Sequence, residues 1–221
     1  MSTKTLRWER RPESRPQELL DAALAVFAER GYRNTRIDDI AEAAGVTKGT
    51  VYHYFATKEE VLRRAIEHYH DRAFSQLGDV LREAQGPASA RIRLMMRKAF
   101  GATNPSGQRM VLAIILQGVR HDVPEAHQQW LRGGPIKAWQ LLASLIEEGK
   151  RAGEFRADVD AEVAARVIVS GLITQMVWQP IAAAVPELRV DEDRLIDSSV
   201  ELLLHGLRPA VVVGTNTISE I

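Results

Sequence analysis

The chain contains no cysteine, which excludes a disulfide framework and any thiolate metal site. It also lacks net charge, with 29 Lys and Arg against 29 Asp and Glu. A polycation that coats nucleic acid by bulk charge is therefore excluded, and an anionic partner has to be met locally. No long apolar run goes uninterrupted. Val163 to Val185 comes nearest, but Arg166, Gln175, Gln179 and Pro180 break it, so it reads as a buried helix rather than a membrane span. The opening stretch, "MSTKTLRWERRPESRPQ", holds no apolar core; no secretory signal is expected there, and a cytoplasmic location is expected. Alternating strand-like runs are missing apart from Ala210–Val213, and no internal repeat is present.

The composition is that of a soluble globular protein, 45% apolar and 26% charged over 221 residues. That length suits one large domain, or a small domain fused to a larger one. Apolar residues recur at helical spacing nearly everywhere, so the expected fold is all-α. Four stretches follow: a basic flexible arm over 1–13, a three-helix head over 14–56, a larger helical domain over 57–208, and a loosely ordered tail over 209–221. In the arm and just beyond it, Lys4, Arg7, Arg10, Arg11 and Arg15 face only Glu9 and Glu13.

In the head, Ser14 with Gln17 forms a capping-box pattern, and Leu20, Ala23, Leu24 and Phe27 line one helix face. Gly31 is the expected stop. Thr35 is the expected cap of a second helix, with Ile37, Ile40, Ala41 and Ala44 as its apolar face. Gly45 ends it, and Thr47 caps a third. Thr57 and Glu60 open a long helix running to about Glu83. "AEAAGVTKGTVYHYF" is thus a helix, a tight glycine turn and a second helix, the helix-turn-helix pattern.

The third helix has two faces. Val51, Tyr54 and Phe55 share one and are expected to pack inward. Lys48, Gly49 and Tyr52 share another, flanked by His53, with Thr47 and Thr50 at the helix start. A cation, hydroxyls and a glycine that lets the backbone come close are what phosphates and base edges require. In such motifs the N-terminal end of the second helix meets the bases.

Residues 15–62 resemble the N-terminal domain of the tetracycline-repressor (TetR) family. The marks are "FAERGY", the Thr35–Val46 stretch with "AEAAGV" at the turn, "GTVYHYF", and Lys58-Glu59-Glu60-Val61-Leu62. That resemblance implies that Thr47, Lys48, Gly49, Thr50, Tyr52 and His53 face an operator in double-stranded DNA. It implies that Thr35 and Arg36 contact the neighbouring backbone, that Lys58 holds a phosphate, and that Arg10, Arg11 and Arg15 extend into the flanking minor groove.

For the larger half the resemblance implies a ligand-binding and dimerisation domain. Its helices are expected near 88–103, 106–121, 124–152, 161–184 and 192–208, with Gly133-Gly134-Pro135 kinking or splitting the third. The last two would pair with those of a second copy. Helix 161–184 is too apolar all round to keep a free face, and Gly171, Ser170 and Ala164 allow close approach. A small-molecule effector of unspecified chemistry would be lined by Met96, Phe100, Met110, Ile114, Gln117, Trp130, Trp139, Gln175, Met176 and Trp178.

Together these features predict a ligand-responsive, dimeric DNA-binding repressor with no catalytic site and no cofactor. An architectural or partner-binding helical protein without small-molecule input is the alternative. An enzyme centred on His68, His70 and Asp71 is disfavoured, because alternate positions on a helix point the two imidazoles apart.

Overall fold

The computed structural model describes residues 15–100, 107–182, 185, 187 and 190–209. The arm residues Lys4, Arg7, Arg10 and Arg11, the Arg15 side chain, the Ser14 cap, the Asn104-Pro105 break and the tail from Ala210 lie outside them. The helices are α1 (Arg15–Asn34), α2 (Ile37–Ala43), α3 (Lys48–Tyr54), α4 (Lys58–Glu83), α5 (Ala88–Phe100), α6 (Gly107–Ile114), α7 (Arg120–Asp122), α8 (Pro124–Gly133), α9 (Pro135–Arg151), α10 (Ala161–Ala182) and α11 (Glu192–Leu207). A π-helical segment, Ile115–Val119, links α6 to α7. Among the described residues there is no strand.

The chain forms two compact units: the described residues of Met1–Ser75 with Pro105–Gly134, and those of Gln76–Asn104 with Pro135–Ile221. In the first unit, Phe27, Ile40, Val51, Leu62 and Ile66 are fully buried, and α6 lies along α1. Val111, Ile114, Val119, Val123 and Ala126 join the same core. The step from Ile114 to Val119 is one residue too long for an α-helix to keep a single face. The extra residue is taken up at a kink within this segment, where Gln117 (φ -77, ψ 15) and Gly118 (φ 96, ψ 11) leave helical geometry.

Glycines end the helices where the sequence expects it. Gly31 takes φ 76, ψ 158, a region open essentially to glycine alone, and closes the regular part of α1. Gly45 turns α2 into α3 at φ 65. The chain is split at Gly133-Gly134-Pro135 into α8 and α9. There the buried His70 ring occupies the space that side chains would need: a Cβ on Gly133 would lie 2.6 Å from Nδ1, and one on Gly134 would lie 2.8 Å from Nε2.

The second unit is built on Ile92, Met95 and Met96 of α5, Leu142, Leu145 and Ile146 of α9, Ala165 and Val169 of α10, and Val200 and Leu204 of α11, all buried. Charged pairs border this core. Arg97 meets Asp197 through two bonds of 2.8 and 2.9 Å, Arg93 pairs with Glu201, and Arg91 with Glu148. No helix of the described residues is long and apolar enough to cross a membrane.

Candidate nucleic-acid interface

The third helix divides as its sequence requires. Val51 is fully buried and Phe55 is 7% exposed, so this face anchors α3 to α1 and α2. Thr47 caps the helix: its hydroxyl oxygen accepts from the Thr50 N–H at 3.2 Å and lies 2.9 Å from the Thr50 hydroxyl. Lys48, Gly49, Tyr52 and His53 are exposed. Tyr54 does not pack inward as its spacing suggests. It is 37% exposed and stands edge-on to the His53 ring at 5.0 Å.

Gly49 carries the most information. A Cβ there would meet only Thr47 Oγ1, at 3.8 Å. Packing within the chain therefore gives no reason for a glycine at this position.

Arg36 stands exposed at the start of α2, where its backbone N–H donates to Asp39 Oδ2 at 2.7 Å. Asp39 also takes Arg30 at 2.7 Å. The Arg36 backbone bond, then Arg30, hold the Asp39 carboxyl below the usual range. Lys48 Nζ reaches Asp38 Oδ2 at 2.9 Å, which raises the lysine above its ordinary value. The Arg36 guanidinium acts on the same ammonium weakly and in the opposite sense.

Two residues expected to contact DNA make bonds within the chain. Thr35 is 1% exposed, and its hydroxyl donates to the Gly31 carbonyl at 2.7 Å; it ties the α1–α2 corner rather than facing outward. The cap of α2 is Arg36, not Thr35. Lys58 donates to the Tyr32 and Thr35 carbonyls at 2.8 and 2.9 Å and sits 4.3 Å from the Tyr32 ring centroid. An ammonium held this way fixes the head's corner onto α4. Next to it the Tyr32 hydroxyl donates to Glu59 at 2.8 Å. Burial, then Glu59, raise the Tyr32 hydroxyl well above the usual phenol range. At the start of α4 the Glu60 N–H donates to Thr57 Oγ1, while Glu60 Oε2 accepts from the Ala56 N–H.

Asp38 and Asp39 both stand in the first turn of α2, where negative charge suits the helix start. Asp39, three residues after Arg36, supplies only the backward half of a capping box, since an arginine side chain has no acceptor to return the bond. Nothing in the sequence pairs Asp38 with Lys48 ten positions on.

The ten residues expected to line an effector pocket divide between the units. Met110, Ile114, Gln117 and Trp130 belong to the first unit, and Ile114 is fully buried in its core. Gln117 is exposed, and its amide donates to the Ala28 carbonyl at 3.1 Å. Met96, Phe100, Trp139, Gln175, Met176 and Trp178 belong to the second. Met96 and Phe100 are buried, Gln175 is exposed, and Trp178 is 50% exposed. Trp139 lies beneath the Arg166 guanidinium at 5.2 Å, its buried indole N–H without an acceptor among the described residues. A surface cleft of about 470 Å³ in the second unit, floored by Glu147, Lys150 and Asp160, touches none of the ten. His68 lies 3.6 Å from Asp21, and among the described residues no group of His, Asp and Glu is arranged to hold a metal.

A buried-backed recognition helix with an exposed basic and hydroxyl face, joined through a glycine turn to a short supporting helix, defines a helix-turn-helix DNA-binding head. Residues 19–65 match the bacterial regulatory proteins of the tetR family, and residues 88–206 match the C-terminal domain of AefR-like transcriptional repressors. The chain belongs to the tetR family and is a DNA-binding transcriptional repressor. It is 29% identical to the helix-turn-helix-type transcriptional repressor KstR2 of Rhodococcus jostii, over 87% of this chain and 91% of that one. It is 25% identical to the fatty acid metabolism regulator protein of Bacillus subtilis, over 88% of this chain and 97% of that one. The solved structure of the fatty acid degradation regulator FadR of Bacillus halodurans superposes with a TM-score of 0.72 at 25% identity, covering 91% of this chain and all of the other.

Proposed function

We propose that two copies of this chain bind one palindromic operator, each inserting α3 into a major groove, and that an effector bound by the larger helical domain releases them. Arg36, Thr47, Lys48, Gly49, Thr50, Tyr52 and His53 are the contact set; Thr35 and Lys58 position it. The observation that carries this reading is the exposed Gly49, which the chain's own packing leaves unexplained, beside the Lys48 ammonium and the Tyr52 phenol.

Apolar exposure on the last two helices supports pairing of two copies. Val163, Val167 and Leu202 are 55%, 65% and 75% exposed, and a Cβ on Gly171 or Gly206 would meet nothing within 4 Å. A helix surface this apolar is stable in water when a second surface covers it. A two-fold pair then matches the symmetry of a palindrome.

For the effector, the relatives named for fatty acid metabolism make an acyl compound the first class to test. The buried Met96 and Phe100 suit an apolar chain, and the unpartnered Trp139 N–H suits a carbonyl.

Selection of bound fragments from random duplex DNA tests the reading. A two-fold consensus, lost in Lys48→Ala and Tyr52→Ala proteins, is expected. Binding governed by salt alone, with no consensus, returns the architectural alternative.

A further inference from the structure

The outer corner of the head carries two carboxylates with different employment. Asp39 is engaged in the fold, holding the Arg36 backbone and the Arg30 guanidinium. Asp38 pairs instead with Lys48, bridging α2 to the recognition helix at 2.9 Å, and both side chains are more than half exposed. An exposed pair of this kind adds little to stability. Its place is nevertheless peculiar. It sets a negative charge against Lys48, the first residue of the recognition helix, on the face where phosphates must come.

We infer that Asp38 is a specificity-determining residue: it holds the Lys48 ammonium for a base edge and penalises duplex that offers Lys48 only phosphate. This rests on the DNA reading given above.

The reason is electrostatic. Lys48 can reach a phosphate only by leaving Asp38 or by drawing Asp38 toward that phosphate. A like charge about 5 Å from a phosphate in water lowers affinity roughly fourfold per head at low salt. Lysine recognises guanine through O6 and N7, and aspartate accepts from the cytosine amino group. A G·C pair can therefore engage both members of the ion pair without separating them. Sequence lacking that pattern leaves the carboxylate facing the backbone with no donor.

The test uses full-length protein, the operator recovered by selection, and a scrambled duplex of equal length, titrated at several salt concentrations. The proteins are wild type, Asp38→Asn, Lys48→Met and the double variant. Asp38→Asn is expected to bind scrambled duplex on the order of tenfold more tightly as a dimer. Its salt dependence there steepens by about one unit per subunit, because a freed lysine neutralises one more phosphate. Operator affinity is expected to move less, so discrimination falls. In the Lys48→Met background the same substitution is expected to change the salt dependence little.

Unchanged scrambled-duplex affinity and slope in Asp38→Asn overturn the inference. So does an equal gain on both duplexes, or an equal steepening of the salt dependence without Lys48. Asp38→Ser provides a second uncharged side chain suited to a helix start, should the asparagine variant fold poorly. Wild type that does not distinguish operator from scrambled duplex removes the DNA reading itself, and this inference with it.

Discussion

Arg33 and Asp122 form a bidentate ion pair across 89 residues of chain: Nε lies 3.0 and 2.9 Å from the two carboxylate oxygens, and Nη2 lies 2.6 Å from Oδ1. One partner sits in the last turn of α1 and the other in α7, so the pair joins the reading head to the segment that packs beside it within the first unit. The bonds from Arg33 hold the Asp122 carboxyl below the usual carboxylate range.

A depressed carboxyl adds stability that is present above its unfolded pKa, about 3.9, and disappears as pH falls through the lower folded value. Asp122→Asn is therefore expected to melt at a lower temperature than wild type at neutral pH, with the gap closing below about pH 4. Thermal melts from pH 7 to pH 3 check this. A gap that stays constant into acid contradicts the assignment.

Gly31→Ala places a side chain in a backbone region that only glycine enters readily, 2.6 Å from Gln117 Oε1. The expected loss is about 1–3 kcal/mol from the backbone alone. Adding Gln117→Ala relieves the collision and leaves the backbone cost, so urea denaturation of the double variant should recover part of the loss. Full recovery refutes the conformational half of the explanation.

Lys58 and Lys48 separate position from contact. Lys58→Met leaves the Tyr32 and Thr35 carbonyls without their ammonium donor and is expected to cost about 1–3 kcal/mol of stability. The salt dependence of operator binding should change little. Lys48→Met should do the reverse: near-native stability, with operator affinity lowered by about 1–3 kcal/mol per head as its base contact is lost. Denaturation curves paired with salt titrations decide. A reduced slope for Lys58→Met reinstates it as a phosphate ligand.

Leu202→Glu sets a charge on the most exposed large apolar side chain of α11, at 75% exposure. Sedimentation is expected to give a monomer, with operator affinity down by roughly 10²-fold or more as the second head is lost. A dimer that survives this change moves the pairing surface elsewhere.

Much of the head was legible because its determinants are local. Thr47 as cap, Gly31 and Gly45 as stops, and Val51 and Phe55 as anchors all follow from spacing within a few residues. Thr35 was misread because hydroxyls favour both helix caps and corner bonds, and the deciding partner, the Gly31 carbonyl, accepts only once Gly31 has turned. The bonds of Lys58 are not legible because its two main-chain carbonyl partners lie more than twenty residues upstream, and a sequence marks no carbonyl as available. Gln117 looked like a polar guest on an apolar helix. Its partner, the Ala28 carbonyl, comes from the packing of α6 on α1, which no local pattern encodes.

The π-helical segment Ile115–Val119 has a consequence for reading this region against other chains. It shifts the phase of the buried face by one residue. Removing one position there, most simply Gly118, would let α6 run on as a regular helix with Val119 still inward, one turn after Ile114. A single-residue gap at this point in an alignment is therefore a change of winding, not of which side chains face the core.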